Sequence, residues 1–492
     1  MARRSGRRAR RKRRKREGVA AVQSVTLSHE PPFVCLRRWL QKRGFSSRLL
    51  LPAHFSDTGR GLLSLTALQP GELLISLPES CLLTTSTVLK SYLGQYIKRW
   101  QPRVSPLLAL CTFLICERHL GEDADWIPYI KVLPTSYTCP AYFSDEVISL
   151  LPSGVRERAL QQRQEVQELH ASSLAFFRSL LPLLVGCVEE VFSLEAVLWA
   201  WCSVNTRTVY KKHPYNHSLS RQEDVYALAP YLDLLNHRPD TQVQACFNEV
   251  SRCYEVHSLQ GCHKFQQAFI CYGPHDNQRL LLEYGFVAPD NPHGVVYVEE
   301  GGRRRSPSNI TYPGLLSNNP QLIPSTLCVS WFVLRCVCVF ACVYVCIPGL
   351  LQKCVCAEGR GQLEQKLLFL KQHDLLQNLT FGVDGPSWRL MTVLRLLSLR
   401  PEHYPQWKSV LQGAAVSEET EQLSVLMAAH TCQLLLQDTA TILDQISRLR
   451  EQCDRVLREQ LEVVAQLRQE EQGILGSSLD VLRRLQAHSQ AE

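Results

Sequence analysis

Apolar positions change their period along the chain, and the changes divide it. Over 33–44, Val34, Leu36, Trp39 and Leu40 share one face at helical spacing, which predicts a short helix. Over 49–77 the pattern alternates and predicts strands, broken at Gly59-Arg60-Gly61 and Pro70-Gly71, with 72–77 the clearest. Helical spacing returns over 105–201, in segments 106–119, 153–180 and 194–201 separated by Trp126-Ile127-Pro128-Tyr129 and Pro182. Strand texture follows at 243–247, at 254–256 and, more fully buried, at 268–272, which ends on Gly273-Pro274. Residues 277–284 suit a short helix closed by Gly285. Beyond 362, apolar spacings of three and four over 362–376, 387–399, 417–437 and 439–469 predict helices. Strand-rich halves around a helical insert, then an all-helical end, make an α+β protein.

Length adds that 492 residues hold more than one domain. An apolar fraction of 45% and a charged fraction of 20% indicate a globular chain. The net charge of +8 is local: the first 17 residues carry eleven Lys/Arg and one Glu, which leaves +8 − 10 = −2 for the rest. That run has no apolar period and nothing to bury, so it is expected to be a disordered tail over 1–32. Its basic density fits a nuclear import signal or an arm in weak contact with nucleic acid; a solubilising tail is the alternative. It lacks the apolar stretch of a secretory signal and the amphipathic helix of a transit peptide.

Of the 20 cysteines, thirteen are scattered without paired spacing, often inside apolar runs as at Cys111 and Cys116. They read as small buried hydrophobes of an intracellular protein, and no metal is expected. The other seven crowd into 328–356. Residues 327–347 are apolar enough to be weighed as a membrane span, against which Arg335 stands. A metal-binding cluster and an insertion without a folded role compete with that reading. Alternating Cys-Val is what a TG repeat in DNA encodes, which favours an atypical insertion over 302–361; no membrane association is expected.

The chemistry concentrates in 231–287. Leu232, Leu234 and Leu235 make an apolar turn ending at Asn236 and His237, and Arg238-Pro239 stops it. An Asn amide there can donate to and accept from a polar ligand. Tyr272 and Tyr284 stand at element ends, each followed by Gly, where side chains can point into a cleft. No Asp-His-Ser or Cys-His nucleophile set lies nearby.

The Asn-His pair, the Tyr-Gly closing a strand and the later Tyr-Gly-Phe resemble the C-terminal half of a SET methyltransferase domain, in the branch that includes the Rubisco large-subunit methyltransferase. The Gly-rich stretch Asp57-Thr58-Gly59-Arg60-Gly61 is similar to that branch's cofactor loop, and 379–390 looks like the start of its helical C-terminal domain. The resemblance covers roughly 33–300 and 362–492, which places a SET domain over 33–301, its helical insert at about 96–201, and a substrate-binding domain over 362–492. It implies S-adenosyl-L-methionine as cofactor, held by Gly59, Arg60, Gly61, Arg207, Asn236, His237 and Tyr272. Thr206, Asp233 and Tyr284 would face the substrate, and Tyr272 would be the catalytic residue. Alone, Gly59 to Gly61 is a plain β-turn, Arg207 a surface charge, Asp233 as readily a helix-terminal cap as a lysine attractor, and either tyrosine a core residue. The implied activity is methylation of protein lysine, of histone or non-histone proteins, in nucleus and cytoplasm. One member of the branch methylates histidine, so that acceptor stays open, and an inactive peptide-binding adaptor on the same fold is the alternative from another class. The helical end could instead be a coiled-coil arm over 449–472.

Overall fold

The computed structural model describes residues 24–298, 365–451 and 453–489. The basic run and the 302–361 insertion fall outside them. The described residues lie in two compact units, within Met1–Tyr137 with Val166–Pro274 and within Thr138–Glu165 with His275–Glu492. The division falls inside the helical insert rather than at its ends.

In the first unit, the alternating segments form strands β1 (Ser24–Thr26), β2 (Leu50–Phe55), β3 (Gly59–Ser64) and β4 (Leu73–Pro78). After the insert come β5 (Thr208–Tyr210), β6 (Tyr226–Leu228), β7 (Asn236–His237), β8 (Val243–Asn248), β9 (Cys253–Ser258) and β10 (Gln267–Ile270). One sheet has the order β1-β2-β3-β10-β7, a second β4-β9-β8, and β5 pairs with β6. All these pairs are antiparallel except β10 with β7, which run parallel with Phe269 opposite Asn236 and Ile270 opposite His237. That pairing brings two segments distant in sequence to one edge of the sheet.

The expected break at Gly59-Arg60-Gly61 is instead the start of β3. Ser56, Asp57 and Thr58 make the turn, and only Gly59 needs a left-handed backbone, at φ +69°. Arg60 and Gly61 are extended and pair with His54 and Ala53. Strand β10 is also less buried than its run of apolar residues suggests: Ala268 is buried, but Phe269 and Ile270 are only half so, and Tyr272 lies past its end.

Helix α1 (Pro31–Lys42) opens on two prolines, which suit a first turn, and buries Phe33, Leu36, Trp39 and Leu40. Helix α2 (Pro106–Leu120) is capped by the Ser105 side chain and buried nearly all round, as its continuous apolar sequence requires. Helix α3 (Ser153–Ser179) follows. Helix α4 (Leu194–Arg207) runs past the expected end at 201, so Thr206 and Arg207 sit on its last turn.

In the second unit, α5 (Asn277–Tyr284) is capped by the Asp276 side chain and closed by Gly285 at φ +78°. A Cβ on Gly285 would come within 2.9 Å of the Cys139 nitrogen, so this glycine is required twice over. Phe143, Val147, Leu151 and Val155 share a core with Leu281, Val287, Leu461 and Val464. This packing explains why the middle of the insert counts with the C-terminal residues. Short strands β11 (Val296–Tyr297), β12 (Thr380–Gly382) and β13 (Gly385–Pro386) form a three-stranded sheet beside helix α6 (Trp388–Ser398).

The two long terminal helices depart from the expected boundaries. Helix α7 (Glu418–Arg450) continues through Asp438, because Thr439 is buried and carries the apolar face onward. The break comes near 451, where the Asp454 carboxylate accepts the Leu457 N–H at 2.8 Å and starts α8 (Arg455–Ser489). Leu461, Val464 and Leu467 are buried in this unit's own core, so the coiled-coil arm has lost its seam to that core. Among the described residues no helix is long and apolar enough to cross a membrane, no cysteines are paired, and no His/Cys/Asp/Glu group is arranged to hold a metal.

Candidate active site

The β2–β3 hairpin and the short β7 strand meet through one side chain. Asn236 Nδ2 donates to the Arg60 carbonyl at 2.9 Å and to Gln267 Oε1 at 3.1 Å, with the Thr58 carbonyl at 3.4 Å. Thr58 and Gln267 bond to each other, Thr58 Oγ1 to Gln267 Oε1 at 3.0 Å and Gln267 Nε2 to Thr58 Oγ1 at 2.6 Å. Gly61 leaves the space this needs. A Cβ there would lie 3.0 Å from Asn236 Nδ2, 3.1 Å from Phe55 and 3.2 Å from the Gln267 amide carbon. The amide nitrogen is thus spent on the hairpin, while no donor among the described residues meets Asn236 Oδ1.

A charged cluster follows from the turn before β7. Tyr231 takes a γ-turn-like backbone, φ +76° and ψ −44°, and its hydroxyl is held by the Leu50 carbonyl at 2.6 Å. Asp233 accepts the Tyr129 hydroxyl at 2.9 Å. Arg207 Nη1 donates to the Asp233 carbonyl at 3.0 Å, and Arg60 Nη1 to the Val132 carbonyl at 2.7 Å. Burial pushes the Asp233 carboxyl above the usual range, opposed by Arg207, the Tyr129 bond and Arg60. Burial and then the neighbouring Arg207 lower Arg60. Arg207 itself is raised: burial works against its charge, but Asp233 and the surrounding phenols outweigh it. Its Nε is buried with no hydrogen-bond partner among the described residues.

Tyr272 closes the group. Its hydroxyl donates to the Leu235 carbonyl at 2.8 Å, and its N–H donates to His237 Nδ1 at 3.0 Å. A neutral His237 therefore carries its proton on Nε2. The two rings stand 5.2 Å apart.

The first unit thus gathers Gly59, Arg60, Gly61, Arg207, Asp233, Asn236, His237 and Tyr272 around one hairpin and one strand end. Their parts differ from a uniform ligand set. Arg60 offers its carbonyl to Asn236 while its guanidinium is tied to Val132, and the His237 ring clamps Tyr272. The Asp233 carboxylate is engaged by the Tyr129 hydroxyl. Thr206 adjoins Arg207, with its hydroxyl donating back to the Cys202 carbonyl at 2.8 Å. Tyr284 belongs to the second unit, where its ring lies 6.2 Å from His275 and 6.3 Å from Phe286. The sequence reading missed Gln267 and Tyr129. A lone polar residue on the buried side of an apolar strand was the available signal for the first; nothing local marked the second. A cleft of 380 Å³ in the same unit, lined by Leu68, Pro70, Arg238, Gln260, His263 and Phe269 among others, shares only Gln267 with this cluster.

A parallel β10–β7 pair that sets an Asn-His strand beside a Tyr-Gly end, with a glycine hairpin against the Asn, defines a SET methyltransferase fold of the Rubisco large-subunit type. A solved structure described as the SET domain of LSMT bound to lysine and AdoHcy matches it with a TM-score of 0.52 at 16% identity, over 94% of this chain and 93% of that one. Residues 358–475 match the family model described as Rubisco LSMT substrate-binding. Over 487 residues the chain is 45% identical to SET domain-containing protein 4 of Mus musculus, covering 99% of each. Over 469 residues it is 43% identical to that of Homo sapiens, covering 95% of each. The chain belongs to the SET domain-containing protein 4 family. SET methyltransferases use S-adenosyl-L-methionine as methyl donor.

Proposed function

We propose that the chain transfers methyl groups from S-adenosyl-L-methionine to lysine side chains of histone and/or non-histone proteins. The observation that carries the reading is a pair of hydrogen-bonding groups near Tyr272 that meet no partner among the described residues: the Asn236 oxygen and the buried Arg207 Nε. An amide oxygen accepts from an ammonium and a guanidinium donates to a carboxylate, so together they fit the amino-acid end of the cofactor. Gly59 and Gly61 would let the backbone approach it, with Arg60 and His237 holding the frame. Once bound, the cofactor supplies an electrophilic methyl on a sulfonium.

The chain's own residues then present the acceptor. The Tyr272 proton is committed to the Leu235 carbonyl, so the phenol oxygen accepts an amine N–H and turns the nitrogen lone pair. Tyr272 need not act as base, since a tyrosine with a pKa of about 10 is protonated at neutral pH. A dry channel beside a cation lowers the amine's pKa by disfavouring a second charge. Thr206 and Asp233 are proposed to border that channel, and Tyr284 is proposed as a substrate-facing residue of the second unit. The basic run supports a nuclear as well as a cytoplasmic site of action.

The test is tritiated methyl incorporation into purified histones and nuclear extract, with the labelled residue identified by mass spectrometry. The comparison uses this chain, a version lacking 302–361, and Tyr272→Phe. Tyr272-dependent labelling of lysine supports the proposal; labelling of histidine replaces the acceptor. No labelling by any version, with no cofactor binding by folded protein, favours the adaptor.

A further inference from the structure

Gln267 is buried, 9% exposed, on a strand whose inward neighbours are apolar. A primary amide in that position has to place an oxygen and an NH2 group, and both are used in the site. Its oxygen accepts from Asn236 Nδ2 at 3.1 Å and from Thr58 Oγ1 at 3.0 Å; its nitrogen donates to Thr58 Oγ1 at 2.6 Å. Both partners belong to the cofactor site proposed above, Thr58 at the hairpin turn and Asn236 on β7. Neither is a chain neighbour of Gln267.

The orientation of an Asn amide is a two-fold choice. With Nδ2 inward, Asn236 donates to the Arg60 carbonyl and to Gln267; turned over, its oxygen would face that carbonyl and Gln267 Oε1, acceptor against acceptor. We infer that Gln267 is a positioning residue for methyl-donor binding, setting the Asn236 oxygen toward the cofactor's ammonium and fastening the hairpin turn in the same contact. The inference rests on the cofactor reading of this site and adds a residue to it. A Cβ at position 61 would meet Phe55 at 3.1 Å and Gln267 at 3.2 Å, so the glycine is what admits Gln267 to this contact.

The experiment is calorimetric titration with S-adenosylhomocysteine, plus steady-state kinetics in S-adenosylmethionine, on wild type, Gln267→Leu and Gln267→Glu. The leucine keeps the volume and removes every polar contact. The glutamate keeps an acceptor for Asn236 and for the Thr58 hydroxyl. Losing an oriented hydrogen-bond partner predicts about tenfold weaker binding for Gln267→Leu, with KM for the donor rising more than kcat falls. Gln267→Glu should stay within about threefold of wild type, since both bonds to the oxygen are kept and only the donation to Thr58 is lost. A purely structural role would lower the melting temperature of Gln267→Leu without this split. Gln267→Leu binding like wild type, or Gln267→Glu failing as badly as the leucine while folded, overturns the inference alone. Wild type that takes up no cofactor overturns the cofactor reading with it.

Discussion

Replacing Gly61 with alanine puts the packing of the hairpin against Asn236 to a quantitative test. Gly61 is extended, so alanine meets no backbone objection there, and removing a strand glycine alone would recover about 0.5–1 kcal/mol. The added methyl would, however, lie 3.0 Å from Asn236 Nδ2 and 3.2 Å from the Gln267 amide carbon, with Phe55 at 3.1 Å. Asn236 is held by the Arg60 carbonyl and Gln267, so relief comes from stretching those bonds or shifting β3, at the roughly 1–3 kcal/mol typical of overpacking. The difference is a net destabilisation of about 1 kcal/mol and at most about 2.5. Cofactor affinity should fall further than stability, by about tenfold, because the displaced group is the proposed ligand-binding amide. Thermal melts and calorimetry with S-adenosylhomocysteine read the two effects separately. A Gly61→Ala protein that melts above wild type and binds the cofactor equally well would refute the argument, showing that nothing presses on that face of the hairpin.

Other outcomes follow from the same structure. Gly59→Ala meets no neighbour but keeps a φ of +69°, so it should cost about 1–2 kcal/mol of stability through backbone strain alone; a melting curve superimposable on wild type would contradict this. Phe265 is exposed at φ +64°, and Phe265→Asn, which tolerates that conformation better, should raise stability by up to about 1 kcal/mol; a lower melting temperature counts against it. Glu117 is buried between the Tyr92 hydroxyl and the Trp126 N–H, each at 2.8 Å, and burial raises its pKa. The folded state therefore holds this proton more tightly than the unfolded one, and stability falls as pH rises from about 4 through the raised value. Glu117→Gln, which can accept from Trp126 and donate to Tyr92, should flatten that part of the melting-temperature profile; an unchanged slope would show that the carboxyl is not the cause.

Much of this architecture was legible in the sequence, and the exceptions have physical causes. Residues 277–284 and Gly285 were readable because cap, apolar face and left-handed closing residue are all local. The Gly59-Arg60-Gly61 stretch was misplaced as a break because glycine marks permissiveness, and only pairing with β2 shows that one of the two uses it. The continuation of α7 through Asp438 is a tertiary decision, made by burial of Thr439. In the site, Asn236 and Tyr272 stood out at element ends, whereas Gln267 and Tyr129 act across long sequence separations that no local pattern records. Arg60 and Asp233 lie in the same unit as Asn236, where their side chains engage Val132 and Tyr129, contacts that no local pattern announces.

The central claim is that methyl transfer takes place at Tyr272, just past the end of β10. Its most direct test is single-turnover methyl transfer to the identified protein substrate by wild type and Tyr272→Phe at saturating S-adenosylmethionine, with matched melting temperatures. Phenylalanine keeps the ring beside His237 and removes only the hydroxyl held by Leu235, a loss of about 1 kcal/mol in stability. The account predicts that cofactor binding persists while the transfer rate falls by about a hundredfold or more. Transfer at the wild-type rate by a folded Tyr272→Phe protein would contradict it.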